Sequence, residues 1–535
     1  MKSLGARAIL RLVAPFLFLT SATLFIATSC GPTAPRATLR VVSGSENESL
    51  EPLIEEFEEE SGIAVEIDYR GSVDMMLEMS APDFPYDAVW PANGLWISLG
   101  DEQRRVKHIR SIMTSPVVFG IQESVAERLG WNNGEVFVAD ILEAIQEDRF
   151  SFMMTSATQS NSGSTAYLGF LYALAGNPDV LSMEDLEDAE LRSGVRSLLA
   201  GIHRSSGSSG WLKELFLESD YEAMVNYEAL IIEANQELVR QGREPLYAVY
   251  PVDGIVMADS PLGYVDKGDD EKEEAFLALQ EYLLSDEVQN QIGGLGRRTG
   301  FGGVAGDVDT DVFNPDWGLQ PNRVISSITL PSAEVIREAL FLYQTEFRKP
   351  SLTIFALDHS SSMLQGNGID QLREAMAMLL DQEEASRYMI QTGREDRIGV
   401  LPFSYDVIGG WETVGNDQDD LSELMEQINS QVPDGGTNIY APIMVAVSSL
   451  ADFEDLDKYI PAIILMTDGA HTAETTFADM RRIYARAGLD IPVFGILFGN
   501  AVESELEQIA EFTRARVFDG RENLIDAFRR VKGYN

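Results

Sequence analysis

One cysteine, four histidines and 40 Lys+Arg are what this 535-residue chain has little of. With Cys30 alone, no disulfide can form within the chain. Against those 40 bases stand 86 Asp+Glu, a formal charge of −46. That excludes broad nucleic-acid binding, because neutralising phosphates needs a dense basic surface. It leaves room for a local anion site, and the plain reading of the acid excess is a solvated surface that tolerates salt. None of His108, His203, His359 and His471 stands in an HExxH array or beside a nucleophile, and there is no Gly-x-x-x-x-Gly-Lys-Ser/Thr phosphate loop. Paired acids such as Asp419-Asp420 read as surface. The chain is therefore expected not to be an enzyme. What is present is ordinary globular material, 45% hydrophobic and 24% charged, with length for about three or four domains.

Residues 1–30 carry Lys2, Arg7 and Arg11, then the apolar run Leu12 to Ile26, then Ala27-Thr28-Ser29-Cys30. A basic start, an apolar middle and small residues at the end describe a secretory signal. The segment resembles a bacterial lipoprotein signal, which implies lipidation of Cys30 and a protein held outside the cytoplasm, facing the periplasm or the cell surface. The alternative is an uncleaved anchor helix, Leu12 to Ser29, interrupted by Pro15. A single acyl chain holds weakly, a multiply acylated cysteine stably. Residues 31–38 read as a short tether.

From Leu39 onward short apolar runs alternate with amphipathic helices, the rhythm of a parallel α/β sheet. Leu39–Val42, Ala64–Tyr69 and Tyr86–Trp90 read as strands. Ser49 reads as the N-cap of a helix carrying Leu50, Leu53, Ile54 and Phe57 on one face. Thr114–Gln122 leaves this unit and Tyr250–Val265 returns to it, which predicts two lobes: lobe 1 over 39–113 and 255–305, lobe 2 over 114–254. In lobe 2, 156–165 reads as a Ser/Thr/Asn-rich loop before a helix at 166–175, and 205–210 as a flexible loop. Residues 306–350 read as a linker, Asp307–Pro321, followed by a connecting helix.

Residues 39–305 resemble a type II solute-binding protein of the sulfate/molybdate-related kind. The matching stretches are Ser43-Gly44-Ser45-Glu46, Tyr86-Asp87-Ala88-Val89-Trp90, Thr114-Ser115-Pro116-Val117-Val118, Ser160-Asn161-Ser162-Gly163, Val225-Asn226-Tyr227-Glu228 and Tyr250-Pro251-Val252-Asp253-Gly254. The resemblance implies two lobes closing on a ligand, with Ser43, Ser45, Glu46, Ser115, Ser160, Asn161, Ser162, Asn226 and Glu228 as candidate cleft residues, and it allows a partnership with an ABC permease. Read from the residues, Ser43 and Ser45 lie between a strand and a helix, and Ser160 to Ser162 at a similar junction. Free N–H groups at such places favour an oxyanion. Glu46, Glu228 and Asp74 would repel one and suit a cation or an amine, and the serines would serve equally as helix caps. The ligand stays open.

The last stretch, 351–535, carries the strongest signal. An apolar β-prone run, Ser351–Leu357, ends in Asp358-His359-Ser360-Ser361-Ser362, and oxygen side chains at the carboxyl edge of an α/β sheet sit where such sheets bind ligands. Further strands are expected at Arg397–Phe403, Ile463–Met466 and Ile491–Phe498. The loop Gly435-Gly436-Thr437-Asn438 and the turn Thr467-Asp468-Gly469 follow two of the later elements. These motifs resemble a von Willebrand factor type A domain, a doubly wound, Rossmann-like fold. The resemblance implies a metal-ion-dependent adhesion site at Asp358, Ser360, Ser362, Thr437 and Asp468. The residue types suit Mg²⁺, a hard ion that takes six oxygens at about 2.1 Å, with Mn²⁺ or Ca²⁺ as substitutes. Two carboxylates leave the ion electrophilic, so a protein partner's Asp or Glu could complete its shell. His359 reads as a neutral rim residue. Asp358 could in principle act as a phosphatase-like nucleophile, a metal-dependent hydrolase reading, but Ser360 and Ser362 favour ligation. The fold class is α/β throughout, and the expected role is a lipid-anchored binding or adhesion protein; the other reading is an importer's solute receptor with an accessory domain.

Overall fold

The structure, a computed structural model, describes residues 35–304, 309–365, 367–499, 501–521 and 523–533. The segment read as a secretory signal, with Cys30, lies outside the described residues. The first strand, Ala37–Ser43, begins before the tether was expected to end. It is flanked by Ile63–Tyr69 and Ala88–Trp90, both parallel to it, and Pro261–Val265 and Val106–Ser111 extend the sheet antiparallel. Leu39, Val41, Phe57, Trp90 and Phe276 close its core. The second lobe is built on Ser115–Gln122, Ala223–Tyr227, Phe152–Thr155 and Ile202–Ser206, with Met257–Ala258 and Leu246–Val249 beside Ser115–Gln122. The outgoing strand and the returning Met257–Ala258 pair antiparallel, so both crossings run side by side.

Four local expectations differ from what is seen. Ser49 does not cap a helix; a 3₁₀ turn, Ser45–Leu50, runs directly into the helix Glu51–Ser61, and the Ser49 hydroxyl instead accepts from Arg297 Nη2 at 2.8 Å. The second-lobe helix begins at Asn161, inside the stretch read as a loop, because its small polar side chains are hydrogen-bonded within the protein rather than to water. Residues 205–210 are not a flexible loop: Ser205, Ser206 and Ser209 are buried, since small residues let the lobes approach closely. The described part of the linker, 309–321, is not loose either. Phe313, Trp317 and Leu319 are buried in one continuous core with lobe 2, and the connecting helix Ala333–Leu342 receives the Tyr167 hydroxyl at the Ala339 carbonyl, 2.8 Å away.

The C-terminal sheet runs Trp411–Val414, Arg397–Phe403, Ser351–Asp358, Ile460–Thr467, Val493–Leu497, Val517–Asp519, parallel except for the first strand. The central Ser351–Asp358 is buried along its whole length, as a strand covered on both faces must be. Helices Gly368–Leu380, Gln418–Ser430 and Leu524–Lys532 pack on one face, and Tyr440–Ala451, Phe477–Ala487 and Glu503–Phe512 on the other. The edge strands Trp411–Val414 and Val517–Asp519 are short and half-exposed, and the sequence reading misses both.

This domain is not tethered but docked. Trp211 of lobe 2 meets Phe494, ring centroids 6.4 Å apart, and Arg516 lies over the Trp211 ring at 5.3 Å while bonding Glu214 at 3.2 Å. Asp490 receives Arg514 at 3.0 Å and Arg204 of lobe 2 at 3.4 Å.

Candidate functional site

The central strand delivers Asp358 to the carboxyl edge of the C-terminal sheet. There the chain turns sharply: Ser360 N–H donates to Asp358 Oδ1 at 2.7 Å, and the 3₁₀ turn Ser361–Leu364 follows. Ser360 and Ser362 hydroxyls lie 2.9 Å apart, and Ser362 Oγ donates to Asp468 Oδ1 at 2.8 Å. A Cβ on Gly469 would stand 2.9 Å from Ser362 Oγ and 3.3 Å from Thr437 Oγ1, so these two hydroxyls crowd one spot and only glycine leaves it room. The structure thus brings Asp358, Ser360, Ser362, Thr437 and Asp468 together from three separate stretches of chain.

Two supporting residues escape the sequence reading. Thr467 donates its hydroxyl to Asp358 Oδ2 at 2.6 Å. Thr472 holds the Thr437 loop, accepting from Thr437 N–H at 2.9 Å and returning its own N–H to the Thr437 carbonyl at 2.8 Å. Threonine after a buried strand looks like ordinary β material, so nothing in its spacing marks it. His359 is not at the rim but fully buried, its Nδ1 3.1 Å from the Leu357 carbonyl, and burial pushes its imidazole below the usual range. Burial pushes the Asp358 carboxyl up to about 6, opposed by the hydrogen bonds from Thr467 and Ser360, and nearby Asp468 adds to the rise. Asp468 is raised by burial too.

Could these residues hold a divalent cation? Two buried acids, three hydroxyls and a glycine-cleared space form an all-oxygen donor set of the kind a hard cation takes. Among the described residues no group of three or more His, Cys, Asp or Glu is placed to hold a metal, so hydroxyls must supply most of the donors.

The residues expected in the inter-lobe cleft are buried and largely bonded to one another. Ser43 Oγ accepts from Asn47 at 3.0 Å. Ser45 crosses to lobe 2, accepting from Ser208 Oγ at 2.8 Å and Gly210 N–H at 3.1 Å. Ser160 and Ser162 share Ser209 at 3.0 and 2.7 Å. Asn161 Oδ1 accepts from the Trp96 indole of lobe 1 at 2.7 Å, and its amide donates to Tyr227. Asn226 donates to the Ser209 carbonyl, and Ser115 accepts from Ala229 N–H. Between the lobes a cavity of about 20 Å³ touches Glu46, Ser115, Tyr227, Ser260 and Arg297, roughly the room of one water.

The three carboxylates expected near the cleft separate. Glu228 is wholly buried and spent on Arg298, both contacts at 2.7 Å, with the Tyr250 hydroxyl on the same carboxylate. Asp74 faces Arg529 of the C-terminal helix at 3.4 Å. Only Glu46 stays in the cleft. Its carboxyl folds back into the space a Gly44 side chain would take, Oε1 has no hydrogen-bond partner, and burial pushes it up to about 7 against the pull of its own backbone N–H and Arg297.

The comparisons with known proteins divide the chain in the same way. The family model described as bacterial extracellular solute-binding protein matches residues 39–298, and that of the von Willebrand factor type A domain matches 354–524. Similar solved structures include the sulfate-binding protein SubI of Mycobacterium tuberculosis H37Rv, at 15% identity over 56% of this chain and 96% of that one, TM-score 0.39. A ferric binding protein of Campylobacter jejuni aligns at 16% identity over 57% and 98%, TM-score 0.39. A von Willebrand factor type A protein of Catenulispora acidiphila aligns at 18% identity over 35% and 43%, TM-score 0.29. No curated protein matches the chain.

Proposed function

We infer that this chain, which carries a bacterial extracellular solute-binding domain followed by a von Willebrand factor type A domain, is an extracytoplasmic binding protein whose C-terminal domain engages a partner's carboxylate through a divalent cation, Mg²⁺ first. The convergence of Asp358, Ser360, Ser362, Thr437 and Asp468 carries the reading. These five would hold the ion. Bound there, it supplies an electrophilic position to an Asp or Glu of the partner. Thr467 keeps Asp358 oriented, and the Gly469 backbone leaves the approach open. The long-range field of a −46 protein repels an acidic partner, but screening confines that repulsion to about 8 Å at physiological salt. Attraction at contact then decides. No helix among the described residues is long and apolar enough to cross a membrane. Attachment is assigned to a lipid on Cys30 from the basic, apolar and small-residue order of residues 1–30.

Titration calorimetry of the full extracytoplasmic chain with Mg²⁺ should show one site that Asp358→Ala abolishes. Equal heats from both proteins overturn the metal role. Cys30→Ser should move the protein from the membrane to the soluble fraction, and continued membrane association would sink the anchor. The reading assigns binding without turnover, so phosphate and ester substrates with Mg²⁺ should give no product. The 39–298 match favours a second reading, a solute receptor serving an ABC importer. Saturable uptake that is lost on deleting this chain would establish it.

A further inference from the structure

The mouth of the inter-lobe cleft is covered by the chain's own C-terminal helix, Leu524–Lys532. Arg529, 5% exposed, reaches Asp74 and Glu78 of lobe 1, each at 3.4 Å. Asp526 on the same helix pairs with Arg70 of lobe 1 at 3.0 Å. The Arg529 carbonyl accepts from Gln159 Nε2 of lobe 2 at 2.8 Å, while the Gln159 carbonyl accepts from Val73 N–H of lobe 1 at 3.1 Å. One helix therefore bonds both lobes across their seam. Beneath it lies a cavity of about 60 Å³ whose walls come from lobe 1 (Ser45, Tyr69), lobe 2 (Gln159, Ser208) and the C-terminal domain (Arg516, Arg530).

We propose that this helix is a latch: docked, it holds the two lobes shut over their cleft, and a solute reaches the cleft only when the C-terminal domain swings off the mouth. The proposal rests on the two-lobed fold and the seam contacts, and it stands whether or not the carboxyl edge of the C-terminal sheet binds a metal. Three observations carry it. The pairs at the seam are charge-complementary and poorly solvated, so removing or reversing one partner leaves the other as an uncompensated charge. The lobes are already in contact behind the latch, through Ser45 with Ser208 and Asn161 with Trp96. A Cβ on Gly71 would lie 2.2 Å from the Gln159 carbonyl oxygen, so the lobes meet backbone to backbone where the latch crosses.

The test places spin labels on the full chain carrying Cys30→Ser, at Glu59→Cys in lobe 1 and Glu127→Cys in lobe 2, both exposed positions on helices. Pulsed dipolar spectroscopy should give one narrow distance for the parent. Asp526→Arg, which sets two cations face to face, should add a second, longer population that the parent does not show. Adding Arg70→Asp rebuilds the pair with its signs exchanged and should return the single short distance. An unchanged distribution in Asp526→Arg overturns the latch, because the lobes then stay closed by their own contacts. A longer population that Arg70→Asp fails to reverse overturns it too, since that reports loss of structure rather than release.

Discussion

At the scale of single residues, two buried carboxyls set the pH behaviour. Asp358 ionises near 3.8 in the unfolded chain and near 6 in the folded one without metal, so the metal-free protein loses stability as pH rises across that window. A cation needs the ionised form and must displace the proton below 6. Mg²⁺ affinity should therefore be flat above about pH 7 and fall about tenfold per unit below pH 6. Calorimetry at pH 5, 6 and 7.5 reads this directly, and pH-independent binding would contradict it. Glu46 follows the same sign: its carboxyl moves from 4.5 to about 7 on folding, so the penalty is absent at low pH and complete above 7. Glu46→Gln should stabilise the protein at pH 8 by about 3 kcal/mol and hardly at all at pH 4. Thermal melts at the two pH values check it.

At the scale of elements, the junction of the strand Ala223–Tyr227 with the helix Glu228–Arg240 places a buried carboxylate at the start of that helix, where Arg298 meets it. Glu228→Ala would strand a buried guanidinium and should cost about 3–5 kcal/mol in urea unfolding. A cost near zero would mean Arg298 finds its carbonyl partners sufficient. This scale also marks what the sequence could and could not say. The Asp358-x-Ser360-x-Ser362 turn was legible because it follows an unbroken apolar strand, and strand plus polar turn is a local pattern. The tight packing of 205–210 was not, because six small residues read as loose chain unless the opposing lobe is known. Glu228 looked like a cleft ligand for the same reason: its partner Arg298 is 70 residues away, and nothing local announces the pair.

At the scale of the whole molecule, the α/β class was readable from the alternation of strands and helices, the two lobes from the two crossing runs and the solute-binding resemblance, and the terminal doubly wound domain from its resemblance to a von Willebrand factor type A domain. The docking of that domain was not, since Arg529 and Asp74 are separated by most of the chain and an interface leaves no periodicity. Docking makes the domain dependent on its neighbour. Residues 351–535 expressed alone would uncover the side of Phe494 that meets Trp211 and leave Arg514 and Arg516 without Glu214 and lobe 2. That fragment should self-associate and bind a hydrophobic dye in gel filtration and fluorescence assays. A monomeric, dye-silent fragment would show the seam to be dispensable.

Gln159 gives the seams a common fate. It belongs to one lobe, accepts a hydrogen bond from a backbone N–H of the other and donates its side-chain amide to a carbonyl of the terminal helix, so it is a triple point where three bodies meet on a single residue. Whichever boundary parts first removes a support from the remaining one. Reporters placed across the two boundaries should then yield at the same urea concentration, and a species with only one of them parted should be scarce.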